Sequence, residues 1–179
     1  MIPYLGDYPE ICPDGTGGFA ALVRRNLAQD HLIGFRLDST GWLPWGSSGI
    51  DFRVMYWAKS LACPFPYIYI AWDSGAGCPS ARLAKLRCLD YQGNSPWPEN
   101  ITLFSGTPSN FFQEMKDGNG TGSIFSAYDS IAGLQWRLYM QKFSYYGDGL
   151  WEQDVPVTFA SSILYPCIYA NDFGGGILS

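Results

Sequence analysis

The stretch CPFPYIYIAWDSGAGC, residues 63–78, decides how this chain is read. Pro64 and Pro66 break any helix, and the aromatic and β-branched run from Tyr67 to Trp72 reads as a strand ending in the turn DSGAG. Successive strand side chains point to opposite faces. Ile68, Ile70 and Trp72 therefore form one face, the natural core, and Tyr67 and Tyr69 the other. A tyrosine pair, apolar in body and polar at its tip, suits a subunit contact or a sugar. A turn over Asp73–Cys78 returns the chain along 81–91 and sets Cys88 across from Cys63.

The same signals extend outward. Strands are expected near 32–38, 50–57, 66–72, 81–91, 100–105, 123–128, 134–145 and 155–170, separated by turn clusters such as WGSSG, YQGNSPWPEN, DGNGTG and YYGDG. Two helices are expected. Residues 19–30 place Phe19, Leu22, Val23 and Leu27 on one face, and in 108–116 Thr107 can cap with Pro108 at the first helical position. No internal repeat and no linker is evident. The expected fold is mainly β: a single antiparallel β-sandwich or jelly-roll-like domain over 1–179, with two short helical insertions and a loose C-terminal tail at 174–179.

Composition narrows the function. Charged residues make up 15% of the 179, against an ordinary ~25%, while aromatics reach 17% and Tyr alone numbers 12. With so little charge for the outside, aromatics are either exposed or covered by partners. The net charge of −5, with no basic run beyond Arg24–Arg25, argues against nucleic acid and anionic membrane. No apolar run approaches the ~20 residues of a membrane helix, and the N-terminal MIPYLGDYPE lacks the features of a signal peptide. An aromatic-rich composition of extracellular type without an export signal fits a protein assembled in a host cytoplasm that leaves within a virion; secretion is the alternative.

The five cysteines stand at 12, 63, 78, 88 and 167, without a C-x-x-C pair and with only His31 as histidine. No metal site is expected. Five reduced, mostly buried cysteines acting as small apolar residues are the expectation; the possible pairings, from the hairpin and the chain ends, are Cys63–Cys88 and Cys12–Cys167, with Cys78 the odd thiol.

Candidate chemistry is sparse. Gly15, Gly17 and Ala20 match G-x-G-x-x-A with Asp38 downstream, but the preceding YPEICPD is a poor buried strand, so a Gly-rich turn is the better reading and no cofactor is expected. Asp117, Asn119 and Thr121 resemble the start of a calcium loop whose last position is Tyr128 rather than Glu. His31 beside Asp30 reads as a helix-end histidine rather than a catalytic base. The acids Asp148, Glu152 and Asp154 read as solvated.

Loop tryptophans form the remaining set. Trp42, Trp45, Trp97 and Trp151 lie in expected turns and suit either a sugar platform or a protein interface. The chain is therefore expected to be a non-enzymatic structural subunit of a virion, such as a bacteriophage decoration, collar or tail-associated protein. Its partners would be copies of itself or a larger protein shell, with Tyr67, Tyr69 and these tryptophans as contact residues. The alternative is a lectin-like β-sandwich that binds glycans through the loop tryptophans.

Overall fold

The computed structural model describes residues 7–26, 30–54, 59–63, 66–74, 82–106, 112–117, 124–132, 135–144, 146–150, 152, 155–160, 168–170 and 176–178. Among them the chain is all strand and turn, with no helix. It runs as three four-stranded antiparallel sheets in series. The first holds β1 (Asp7–Pro13), β2 (Phe19–Asn26), β3 (Asp30–Leu37) and β4 (Ile50–Val54). The second holds β5 (Lys59–Ala62), β6 (Ile68–Ser74), β7 (Arg82–Leu89) and β8 (Ile101–Gly106). The third holds β9 (Phe112–Asp117), β10 (Ile124–Ala132), β11 (Gln135–Phe143) and β12 (Val155–Ala160). A short hairpin of β13 (Ile168–Ala170) and β14 (Gly176–Leu178) follows.

In every sheet, strand order follows chain order. The first strands begin at Asp7, Lys59 and Phe112, so one four-strand unit recurs at an interval of about 50 residues. This corrects the reading that the chain has no internal repeat. The meander order also differs from the crossed connections of a jelly roll.

Both expected helices are overturned. Residues 19–26 form β2 and Asp30 begins β3, and 112–116 lie in β9, with 27–29 and 107–111 outside the described residues. The cause is visible in β2. Ala20 and Leu22 enter one core cluster while Val23 enters another, so the strand is apolar on both faces. A strand buried on both sides loses its polar alternation and imitates a helical pattern.

The middle sheet shows the same double burial. Ile68, Ile70, Trp72 and Leu89 pack against Leu22, Leu32, Trp45 and Phe52 of the first sheet, with the Phe52 and Trp72 rings 5.3 Å apart. Tyr69, Ala71, Leu86 and Cys88 on the opposite face form a second cluster with Trp97 and with Phe143 of the third unit. The alternation expected for β6 is thus correct, but its tyrosine face is not a surface. Tyr69 is fully buried, edge-on to Trp97 at 6.0 Å, and Tyr67 is half-buried beside it.

The β6–β7 ladder sets Tyr69 opposite Cys88 and Ser74 opposite Leu83. The turn therefore lies further along the chain than expected, and Cys63 falls outside the ladder. Among the described residues Cys12, Cys63 and Cys88 form no disulfide, so neither possible pairing is present and these three are reduced as expected; Cys78 and Cys167 lie outside the described residues.

Candidate functional site

One turn recurs in each unit and organises the surface. Asp38, Asp90 and Ser144 each follow the third strand of their unit. In all three turns the N–H of that residue donates to the carbonyl four residues on (Trp42, Asn94, Asp148), while its own carbonyl accepts from Gly41, Gly93 or Gly147. The Asp or Ser side chain accepts the N–H groups two and four residues ahead, at 2.8–3.0 Å for Asp38, 2.8–2.9 Å for Asp90 and 3.1–3.2 Å for Ser144. The glycines hold φ of +83°, +89° and +90°, a left-handed backbone that a side chain disfavours. The shared signature is Asp/Ser-x-x-Gly-x-x-x-Trp, ending at Trp45, Trp97 and Trp151.

These turns interlock. A Cβ on Gly93 would lie 2.9 Å from Trp45 and 2.8 Å from Ile50 of the preceding unit. A Cβ on Gly147 would lie 3.0 Å from Trp97 and 2.6 Å from Ile101, the equivalent pair one unit later. Each glycine is thus the floor on which the previous unit's tryptophan sits. Gly41, in the first unit, has no described atom within 4 Å of its corresponding position and is exposed.

The tryptophans therefore divide. Trp45 and Trp97 are interior, 8% and 4% exposed, and act between units of the same chain. Trp42 is 70% exposed, and Trp151 lies outside the described residues. Among the described residues, the exposed large apolar side chains on the row of turns are Trp42 at its start and Tyr146 and Leu150 at its end. The middle turn exposes the polar Gln92 and Asn94 instead.

A buried polar network joins the first two units. Asp14, at 0% exposure, accepts Thr16 N and Oγ1 at 2.8 Å and Gly18 N at 3.1 Å on one oxygen. Its other oxygen accepts Arg36 Nε at 2.9 Å and Nη2 at 2.8 Å. The Arg36 guanidinium lies 4.2 Å above the Tyr91 ring and donates to the Tyr91 carbonyl, while the Tyr91 hydroxyl donates to the Asp14 carbonyl. Burial alone pushes the Asp14 carboxyl up, but the hydrogen bonds from Thr16 and the Arg36 charge outweigh it and hold it below its ordinary value. The Gly15–Ala20 stretch that resembles a dinucleotide fingerprint is the turn of this β1–β2 hairpin, and a strand follows it where the fingerprint needs a helix.

A cleft of about 250 Å³ lies between the first two units, lined by the apolar Phe52, Trp72 and Leu89 together with the polar Asp51, Arg53, Arg87 and Asn100. Arg87 Nη1 donates to Asn100 Oδ1 at 2.7 Å. Arg53 holds a φ of +69°, and its N–H donates to Asp51 Oδ1 at 2.6 Å. His31 is on β3 rather than at a helix end, and its Nδ1 lies 2.8 Å from Asp51 Oδ2. Strain at a non-glycine residue beside a charged cleft is the kind of feature that accompanies binding sites. Sequence reading missed the cleft because its walls come from β4, β7 and the loop after β7, which no local spacing connects.

Among the described residues, no group of three or more His, Cys, Asp or Glu could hold a metal ion. Asp148 and Glu152 are both exposed, and Asp154 and the 118–123 loop lie outside the described residues. Comparison with protein-family models, with curated proteins and with solved structures finds no match to this chain.

Proposed function

We propose that the chain is a non-enzymatic structural subunit that assembles with copies of itself through the two ends of its row of turns, in a sandwich-like stack of β units. A bacteriophage decoration, collar or tail-associated component of a virion is the reading that the charge-poor, aromatic-rich composition favours, with a larger shell as further partner. The observation that carries it is the asymmetry of the row. Trp42 and the open Gly41 stand at the first unit, Tyr146 and Leu150 at the third, and the middle turn between them is polar. Such ends suit a heterologous, head-to-tail contact between copies.

Light scattering on the eluting protein tests this. The wild type is expected to run above its 19.9 kDa monomer mass. Trp42→Glu and Leu150→Asp, each removing one end, should be monomeric alone and form a capped dimer when mixed. Loss of an aromatic anchor costs about 2 kcal/mol or more, some thirtyfold in affinity. A wild-type monomer at every concentration would end the self-assembly reading.

Carbohydrate binding is the second reading, favoured by the cleft rather than by the loop tryptophans. Its volume is below the ~300 Å³ of typical ligand pockets and suits one sugar ring, and Arg53 and Arg87 suit a carboxylate on it. Titration with N-acetylneuraminic and glucuronic acids should show saturable binding that Arg87→Ala weakens at least tenfold. No heat and no chemical-shift change with either sugar would dismiss this reading.

A further inference from the structure

We propose that Cys12 and Cys63 are an oxidation site, forming an intramolecular disulfide that staples the first β unit to the second. The inference stands on the junction between β1 and the end of β5 and is independent of the assembly reading.

Two hydrogen bonds, each between a side chain and the backbone, join β1 to the end of β5. Leu61 N–H donates to Glu10 Oε1 at 2.8 Å, and two residues on the Cys63 thiol donates to the Cys12 carbonyl at 3.7 Å, both with a sequence separation of 51. The Cys63 thiol thus reaches Cys12 across the junction, and the Cys12 side chain beside it is the first cause of its upward-shifted pKa. Both are half-buried against the core that the two units share. Cys88 sits fully buried in the other cluster, on the far face of the middle sheet. Among the described thiols, only Cys12 and Cys63 can meet without the fold opening.

The hydrogen bond with Cys12, then burial, hold the Cys63 thiol protonated far above the ordinary thiol range. The Cys12 thiol is the more exposed of the two, while the part-buried Cys63 thiol is held by the Cys12 carbonyl, so Cys12 attacks first. A small external disulfide such as oxidised glutathione is the oxidant. The Cys12 thiolate attacks one of its sulfurs, its S–S bond breaks, and one thiolate leaves. Cys63 then gives up its proton and attacks the Cys12 sulfur of the mixed disulfide, expelling the second thiolate. The protein loses two protons and two electrons, and the oxidant becomes two thiols. A chain that folds in a reducing compartment and later meets an oxidising one would close the bond after folding.

The full chain is reduced, desalted, incubated with excess oxidised glutathione at mildly alkaline pH, blocked with iodoacetamide in denaturant and mapped without reduction. The expected result is a Cys12–Cys63 linked peptide, simultaneous loss of alkylatable thiol at both positions, and a higher thermal midpoint that dithiothreitol reverses. Cys12→Ser and Cys63→Ser should each abolish the linked peptide and the oxidant-dependent shift. Double Cys12→Ala/Cys63→Ala serves as the folded reference, because it removes both thiols without leaving either unpartnered. Alkylation of Cys12 and Cys63 as free thiols, a stable glutathione adduct on Cys12, or linkage of either to Cys78, Cys88 or Cys167 would overturn the proposal.

Discussion

Replacing Asp14 with Ala should cost this protein about 3–5 kcal/mol, because it strands Arg36, only 6% exposed, as an unpaired buried cation. The loss extends beyond the ion pair. Thr16 and Gly18 lose the acceptor that closes the β1–β2 turn, and the Tyr91 contact that ties this turn to the second unit is left on a looser backbone. In thermal unfolding a change of this size is a fall of roughly 10 °C for a chain of this length. A double substitution, Asp14→Ala with Arg36→Met, should recover much of the loss, since a well-packed apolar replacement removes the stranded charge. A double mutant no more stable than Asp14→Ala alone would mean that the turn, rather than the buried charge, carries the effect.

The same network sets a pH dependence. The Asp14 carboxyl titrates below its ordinary value of 3.8, so its contribution is present above that pH and is lost as pH falls through the lower folded-state value. Asp38, held down first by the Thr40 side chain, acts in the same direction. On the alkaline side, burial and then the Asp14 charge push the Tyr91 hydroxyl up to about 12 from 10. A raised folded value means stability that is complete below pH 10 and is lost as pH climbs toward 12. Denaturation midpoints across pH should fall at both ends. Tyr91→Phe should flatten the part of the alkaline fall that Cys88, also pushed up to about 12 by burial, and the still more strongly raised Cys63 do not account for.

Much of the fold was legible where one residue pattern dominates. β6, β7, β8, β10 and β11 sit within a few residues of the expected strands because their β-branched and aromatic runs are bounded by Gly, Pro and Asn turns. β1 was missed because Pro9 and Pro13 argue against a buried strand. Both are tolerated because β1 is at the edge of its sheet. β2 was missed because its two faces enter different cores, and β5, only Lys59–Ala62, is too short to show a period. The repeat escaped notice because only the Asp/Ser, Gly and Trp positions of each turn persist, while the strands between them keep polarity and not identity. Tyr69, Trp45 and Trp97 carried the right signal of aromatic anchoring. That anchoring is spent between units of one chain, which follows only once the sheets are seen to stack.

Substituting the turn glycines separates that internal use from ordinary turn strain. Gly41, Gly93 and Gly147 share the same left-handed backbone, so Ala at any of them costs about 1 kcal/mol for conformation alone. At Gly93 and Gly147 the new methyl also meets an indole at 2.9 and 3.0 Å, and overpacking adds roughly 1–3 kcal/mol. Gly93→Ala and Gly147→Ala are therefore expected to lose about 2–4 kcal/mol in urea unfolding, and Gly41→Ala close to 1. Trp97→Ala should cost about 3–5 kcal/mol by leaving Tyr69 and Gly147 facing a cavity. Combined with Gly147→Ala it should cost less than the sum, because losing the indole removes one of the methyl's two clashes and gives Ile101, the other, room to shift. Equal losses at the three glycines, with strict additivity against Trp97→Ala, would mean that the units do not lock through this contact. The stack would then be held by sheet faces alone.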